Sequence, residues 1–334
     1  VVIVAPLKNK PDANIDLEYN HKNIKFLAIP EISLTSFPEI VKTLFFFPVI
    51  ALKIFYAFII STHLHLRCPG NIGLIGCFLQ VFFPMKKKTA KYAGNWDSNA
   101  KQPWSYNLQK KILTNTFLTK NIKVLVYGKW QNQTHNIMSF FTATYSKSEE
   151  KKVVKPSFYK EIRLMFVGTL SQGKQPFYAL KLVEKLVANG YNAKIDFYGE
   201  GVEKQTLETY ILKNGLNNNV LLHGNVSKKE LENAYQNHHF LILPSKSEGW
   251  PKAVAEAMFF GCLPIATPVS CVPYMLDYGN RGILLTAHFD KNIDLIKNEI
   301  DNIESYCLKS EAAQKWSQQF TLEKLELEIK KLLL

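Results

Sequence analysis

Two carboxylates, Glu248 and Glu256, bracket a turn whose residue types suit an anion. The apolar run Phe240-Leu-Ile-Leu243 before it predicts a buried parallel strand. A short polar loop, Pro244–Ser247, follows it, and Pro251 stands where the first residue of a helix belongs. That helix should run through Ala253-Val-Ala-Glu256 to Gly261. A strand, a tight turn and a helix N-terminus form an anion site at the carboxyl end of a sheet, because free amides and the helix dipole both face the ligand. Glu248 lies ahead of the helix and would point at whatever its N-terminus holds. Glu256 lies about one and a half turns inside, further along the cleft, where it could accept hydrogen bonds from hydroxyls.

The pair sits in the setting Pro-Ser-x-x-Glu-Gly-Trp-Pro-x-x-x-x-Glu-Ala-Met-x-x-Gly, residues 244–261. Around it stand Phe166-Val-Gly-Thr-Leu-Ser-Gln-Gly-Lys174, Phe197-Tyr-Gly-Glu-Gly201, Val220-Leu-Leu-His-Gly-Asn225, Pro264-Ile-Ala-Thr-Pro-Val-Ser270 and Gly282-Ile-Leu-Leu285. Together, over residues 160–334, these resemble the retaining glycosyltransferase family 4, whose fold is GT-B. The resemblance implies an α/β molecule of two Rossmann-like domains with parallel sheets facing across a cleft. It also implies a sugar moved from a nucleotide-diphosphate sugar to a glycan or lipid-linked acceptor.

Site residues follow from the same resemblance. Lys174, after the Gly168-Thr169 loop, would reach the donor diphosphate as a charge-assisted contact. The amides of Ala253 and Val254 would take the distal phosphate, stabilising the leaving group. Glu248 would face the sugar, and the amides of Gly249 and Trp250, beside Ser247, would contact its hydroxyls. Glu256 would accept from the ribose, while Gly199, Gly224 and Asn225 border the base or serve as turn residues after their strands. Family 4 enzymes usually carry an Arg five residues before the Lys; here that position is Thr169, and Lys246 and Lys252 are the candidates to compensate. Glu248 and Lys174 are the residues expected to carry catalysis, by front-face attack with the departing phosphate as base. No nucleophile is assigned, no cofactor is expected and no metal is implied, for the chain has no Asp-x-Asp. On the acceptor side, Arg67, Gly94, Asn95 and Trp96 are candidates, although Ala93 stands where many relatives have His; Arg67 reads equally well as a salt-bridge partner. The alternatives are a nucleotide-sugar 2-epimerase of the same fold, which lacks this Glu context, and a degenerate nucleotide binder.

Composition bounds the rest. A length of 334 residues and a hydrophobic fraction of 47% predict two domains with cores of their own. The five cysteines form no C-x-x-C pair, and none has zinc-ligand spacing with His, which fits buried thiols in a reducing compartment. Charge is one-sided: residues 1–155 hold 21 Lys and Arg against 8 Asp and Glu, whereas residues 156–334 hold 20 of each. Basic residues scattered over helices and loops of one half argue against nucleic acid. They suit anionic headgroups or a pyrophosphate-linked acceptor, with Phe82-Phe-Pro-Met-Lys-Lys-Lys88 either an interfacial docking segment or a solvated Lys run at a helix end. A cytoplasmic protein at the inner membrane face, in bacterial envelope polysaccharide or lipopolysaccharide synthesis, is the corresponding expectation.

Strands are expected near 1–5, 23–29, 61–67, 88–93, 123–127 and 140–145, with helices at 37–60, 71–83 and 104–118. A second series places strands near 162–168, 193–198, 219–223, 239–243, 263–266 and 282–285. Its helices fall at 174–189, 203–214, 228–237, 252–260, 290–305 and 321–333. Strand–helix alternation means parallel sheets with right-handed crossovers. The expected domains are 1–155 on the acceptor side, 156–315 for the nucleotide sugar, and a closing segment 316–334 that crosses back to the first. Val1-Val-Ile-Val-Ala-Pro6 reads as a strand already under way, so a first strand, its Gly-rich loop and a helix are expected ahead of it. The apolar stretch 43–60 is borderline for a membrane span and is interrupted by Pro48 and Lys53, which favours a helix packed on a sheet with partial membrane contact as the intermediate.

Overall fold

The computed structural model describes residues 1–7, 19–32, 36–151, 158 and 161–333. The chain divides into two compact units, one of residues 1–126 and 130–139, the other of residues 127–129 and 140–332. The expected boundary at 155/156 lies outside the described residues. The segment from Phe140 onward already belongs to the second unit, because its aromatics are used there. Phe141 packs on Phe320 (4.8 Å between centroids) and Tyr145 on Phe260 (4.8 Å).

The first unit holds two parallel sheets. Strand β1 (Val2–Pro6) pairs only with β2 (Lys25–Ile29). Helix α1 (Phe37–Ile60) leads to β3 (His63–Cys68), α2 (Asn71–Leu79), β4 (Lys87–Tyr92), α3 (Trp104–Thr114), β5 (Ile122–Tyr127) and β6 (Ile137–Phe140). The second sheet has the order β3-β4-β5-β6. The expected strand 140–145 is instead β6 at Ile137–Phe140, and 141–145 form loop, since Phe141 and Tyr145 turn into the other unit's core. Helix α1 starts with Pro at its first turn and buries only Ile50, Ile54, Ala57 and Phe58. By length and hydropathy it is one helix that could cross a membrane. The Lys86-Lys-Lys88 run is largely structural: Lys86 donates to the α1 carbonyls of Phe58, Ile59 (2.8 Å) and to Ser61 O (2.7 Å), while buried Lys88 donates to Gln80 Oε1 (2.8 Å). This corrects the expectation of three docking lysines, because the orphan carbonyls at a helix end recruit nearby cations.

The second unit is built on six parallel strands. In chain order they are β7 (Ile162–Val167), β8 (Ala193–Tyr198), β9 (Val220–Gly224), β10 (Phe240–Leu243), β11 (Leu263–Ala266) and β12 (Ile283–Leu284). Helices α4 (Pro176–Ala188), α5 (Lys204–Lys213), α6 (Lys228–Asn237), α7 (Lys252–Phe259) and the short α8 (Val272–Met275) connect them. The strands are near-continuous apolar runs, as a sheet covered on both faces requires. Phe166, Phe197, Phe240 and Ile265 are fully buried. The spatial order is β12-β11-β10-β7-β8-β9. From β7 the chain winds outward through β8 and β9, then returns to β10 on β7's other edge. β7 and β10 therefore flank the point where strand order reverses, and a crevice opens there at the carboxyl ends of the strands.

Two helices close the chain where one was expected at 290–305. Helix α9 (Phe289–Asp301) stops at Asn302, whose side chain accepts from Ser305 N (3.0 Å) and starts α10 (Ile303–Ser317); α11 (Leu322–Leu333) follows. Asn competes with the helix backbone for hydrogen bonds and so favours a cap over continuation. The segment 316–334 thus begins inside α10, which packs along α7 and reaches the Phe259 carbonyl through Gln314 (3.3 Å).

Candidate active site

Two loops meet at the switch point. The loop after β7, residues 168–175, is tied to the loop after β10 by Lys246 N donating to Gly173 O (2.9 Å). Across this seam Lys174 Nζ bonds Glu248 Oε1 at 2.5 Å, with Glu248 largely buried and Lys174 about one-third exposed. The structure thus brings together the two residues expected to carry catalysis. They come from adjacent strands but lie 74 positions apart in sequence.

Glu248 is followed directly by the mouth of α7. Pro251 caps the helix, and Val254 N donates back to Pro251 O (3.0 Å). Of the two amides assigned to a phosphate, Val254's is therefore engaged internally and its side chain is fully buried. Lys252 and Ala253 are left with N–H groups that have no partner among the described residues, as the first turn of a helix must leave them. Gly249 is held from behind: its carbonyl accepts from Ser270 Oγ (3.0 Å) and Cys271 Sγ (3.1 Å). That anchors the 249–250 peptide while its amides stay open. Trp250 is buried, stacking on Trp316 (6.1 Å) and against Phe320 (5.9 Å), so it offers a ligand its backbone and not its indole. Ser247 and Thr169 are exposed, as are Lys246 and Lys252, and neither lysine has an ion-pair partner among the described residues.

Glu256 carries two internal bonds that the sequence did not signal. Thr144 Oγ1 donates to Oε1 (2.8 Å), and Tyr235 OH donates to Oε2 (3.1 Å) from a wholly buried position on α6. Burial raises the pKa of Glu256; the bonds from Thr144 and Tyr235 oppose this without cancelling it. Each carboxylate oxygen retains a lone pair for a further donor. The Tyr235 partner is 21 residues away on another helix, and nothing in local periodicity marks it.

The glycines act through close approach. Gly199, at φ +141°, lies where a Cβ would stand 2.1 Å from Gly168 O, and a Cβ at Gly201 would stand 2.3 Å from Leu170 O. Gly168 N donates to Tyr198 O (3.0 Å), Leu170 N to Glu200 O (2.9 Å) and Gly199 N to Gly224 O (2.8 Å). The loops after β7, β8 and β9 are thereby laced edge to edge, which gives Gly199 and Gly224 turn roles at the border of the crevice. Asn225 is exposed beside them.

In the first unit the four acceptor-side candidates differ. Arg67 is exposed at the end of β3 and has no ion pair among the described residues. Gly94 packs on Pro69, where a Cβ would be 2.9 Å from its Cγ. Asn95 and Trp96 are buried and engaged: Asn95 Oδ1 accepts from Asp97 N (2.9 Å), and Trp96 Nε1 donates to Gln133 Oε1 (2.9 Å). Those two hold the loop after β4 in shape. Among the described residues no three His, Cys, Asp or Glu side chains group closely enough to hold a metal ion.

The family model "Glycosyl transferases group 1" matches residues 147–320, just over half of the chain. The chain belongs to the group 1 glycosyl transferases. Among curated proteins, this group 1 chain is similar to Protein CapJ of Staphylococcus aureus, 29% identical over 169 residues, which is 49% of this chain and 42% of CapJ. It is 26% identical over 145 residues to an uncharacterized glycosyltransferase of Methanocaldococcus jannaschii, 43% of this chain and 36% of that protein. The chain thus spans less than half the length of these curated relatives. Solved structures share its fold. Sucrose-phosphate synthase of Thermosynechococcus elongatus superposes with a TM-score of 0.71 at 14% identity, covering 99% of this chain and 88% of that one. Anabaena HepE, solved with UDP and glucose, gives 0.68 at 12% identity, covering 93% and 85%. TarM of S. aureus, solved with UDP, gives 0.62 at 17%, covering 85% and 58%. The group 1 fold here is GT-B.

Proposed function

We propose that the protein is a retaining glycosyltransferase that moves a sugar from a nucleotide-diphosphate sugar to a glycan or lipid-linked acceptor, without a metal. One observation carries this reading: the Lys174–Glu248 ion pair lies across the switch-point crevice, next to the open amides of Lys252 and Ala253. An incoming diphosphate competes with Glu248 for Lys174. The cation then neutralises the leaving group, and the freed carboxylate accepts a hydroxyl of the sugar. Exposed Lys246 and Lys252 supply the second cation that Thr169 lacks. Glu256, held by Thr144 and Tyr235, keeps acceptor capacity for the ribose hydroxyls. The structural neighbours solved with UDP make uridine the base to test first.

The acceptor side is assigned to the basic first unit. Its α1 exposes Phe45 and Leu52, with Phe82 and Met85 exposed nearby in sequence, which supports peripheral contact with an anionic membrane on the cytoplasmic face. A place in envelope polysaccharide or lipopolysaccharide synthesis fits that arrangement.

A thermal-shift series with UDP, GDP, ADP and their sugar conjugates tests the donor site. A ligand confined to the folded state raises the melting temperature by mass action, by about 2.7 kcal/mol of stability at one hundred times its Kd. One diphosphate should stabilise the wild type and fail to stabilise Lys174→Met. Absence of any shift in the wild type would overturn the donor-site reading.

A further inference from the structure

The first unit contains a cavity of about 1150 Å3 whose opposite walls are two strand edges. All of β1 lines one wall and residues 62–67 of β3 line the other, with Ile54, Ala57 and Phe58 of α1 closing one side. Each strand has a partner on its far edge alone, β2 for β1 and β4 for β3. Main-chain groups in a parallel strand alternate between its two edges. Val1 O accepts from Lys25 N (2.9 Å), so Ile3 and Ala5 also address β2, while Val2 and Val4 turn their N–H and C=O groups to the cavity. Cys68 O accepts from Ala93 N (2.5 Å), so Leu64 and Leu66 address β4, and His63, His65 and Arg67 face the cavity. The main chain of these five residues has no partner among the described residues. Two rows of unpaired backbone donors and acceptors, one on each side of a single space, are costly to leave unmet.

We propose that this slot takes one extended apolar strand of polypeptide, from a segment outside residues 1–334, that pairs with β1 and β3 at once and joins the two sheets into one. The regular spacing of donors and acceptors along both walls matches a peptide main chain, which carries the same groups at the same repeat. An acyl chain or a sugar has no such repeat. The walls are five and six residues long, so a strand of that length fills them. The inference stands apart from the donor-site reading, since no residue of the second unit enters it.

The test fuses the hexapeptide Ile-Lys-Val-Leu-Val-Tyr, a copy of β5, ahead of Val1 through a flexible Gly/Ser linker of about fifteen residues, because a parallel connection needs a dozen or more. Amide hydrogen exchange is then read by mass spectrometry. The fusion should slow exchange in β1 and β3 at least ~tenfold relative to the unfused chain, and leave β8 and β9 unchanged. A control fusion with Pro at both Val positions should give no slowing. Val4→Pro in the chain itself removes a slot-facing N–H and no β2 bond, so it should cancel the protection of β1. The proposal is overturned if the fusion slows nothing, if the Pro control slows exchange equally, or if β1 and β3 are already protected in the unfused chain. It is overturned as well if anionic phosphatidylglycerol vesicles protect β1 and β3 and the strand does not.

Discussion

At Lys174 and Glu248 the chemistry depends on a contact that can be exchanged. A cation held only by Glu248 is available to a stronger anion, and a diphosphate is one. Lys174→Met should weaken donor binding by about tenfold or more, the worth of one charge-assisted contact, measurable as UDP affinity by calorimetry. The same change leaves Glu248 largely buried without its cation, so the unliganded protein should also lose stability. Glu256 gives a pH signature. Burial raises its folded pKa above the unfolded value, so the folded state holds that proton to higher pH. Its stability contribution is present below the unfolded pKa and is lost as pH rises through the raised folded value. Glu256→Gln removes that loss. Urea unfolding should therefore show the variant gaining on the wild type between about pH 4 and pH 7, while its nucleotide affinity falls. Gly199 carries a backbone constraint: with Gly168 O where a Cβ would go and a positive φ, Gly199→Ala should cost at least ~2 kcal/mol in chemical denaturation.

Among the elements, caps and crossovers position the site. The strand β10 and helix α7 were legible because an apolar run, a polar loop and Pro251 follow in order. The break between α9 and α10 was not, because residues 289–317 stay amphipathic across Asn302 and the cap is a side-chain choice. Asn302→Ala should destabilise the second unit by about 1 kcal/mol, read as a lower urea midpoint at unchanged slope. The Lys86–Lys88 run shows the reverse error. A charge cluster reads as solvated or lipid-facing, yet α1 ends with carbonyls that two of these lysines and their neighbours resolve internally.

For the whole molecule, charge and apolar exposure are segregated. All the excess positive charge lies in residues 1–155, and α1 leaves most of its apolar residues exposed. Cosedimentation with phosphatidylglycerol vesicles should be strong at low salt, fall as ionic strength shortens the Debye length, and drop further in Leu52→Glu. Binding that ignores both salt and that substitution would count against the membrane contact. The sequence by itself determined the strand–helix alternation, the group 1 motif block and the identity of the phosphate-facing loop, since each is carried by residues close together in the chain. Tertiary structure alone decided that Lys174 pairs with Glu248, that Thr144 and Tyr235 hold Glu256, that Val254's amide is spent inside its own helix, and that β1 and β3 face each other unpaired. Local order along a chain specifies elements through periodicity and turn chemistry. Which side chains meet depends on strand order in the sheet, and that is fixed by packing between residues many positions apart.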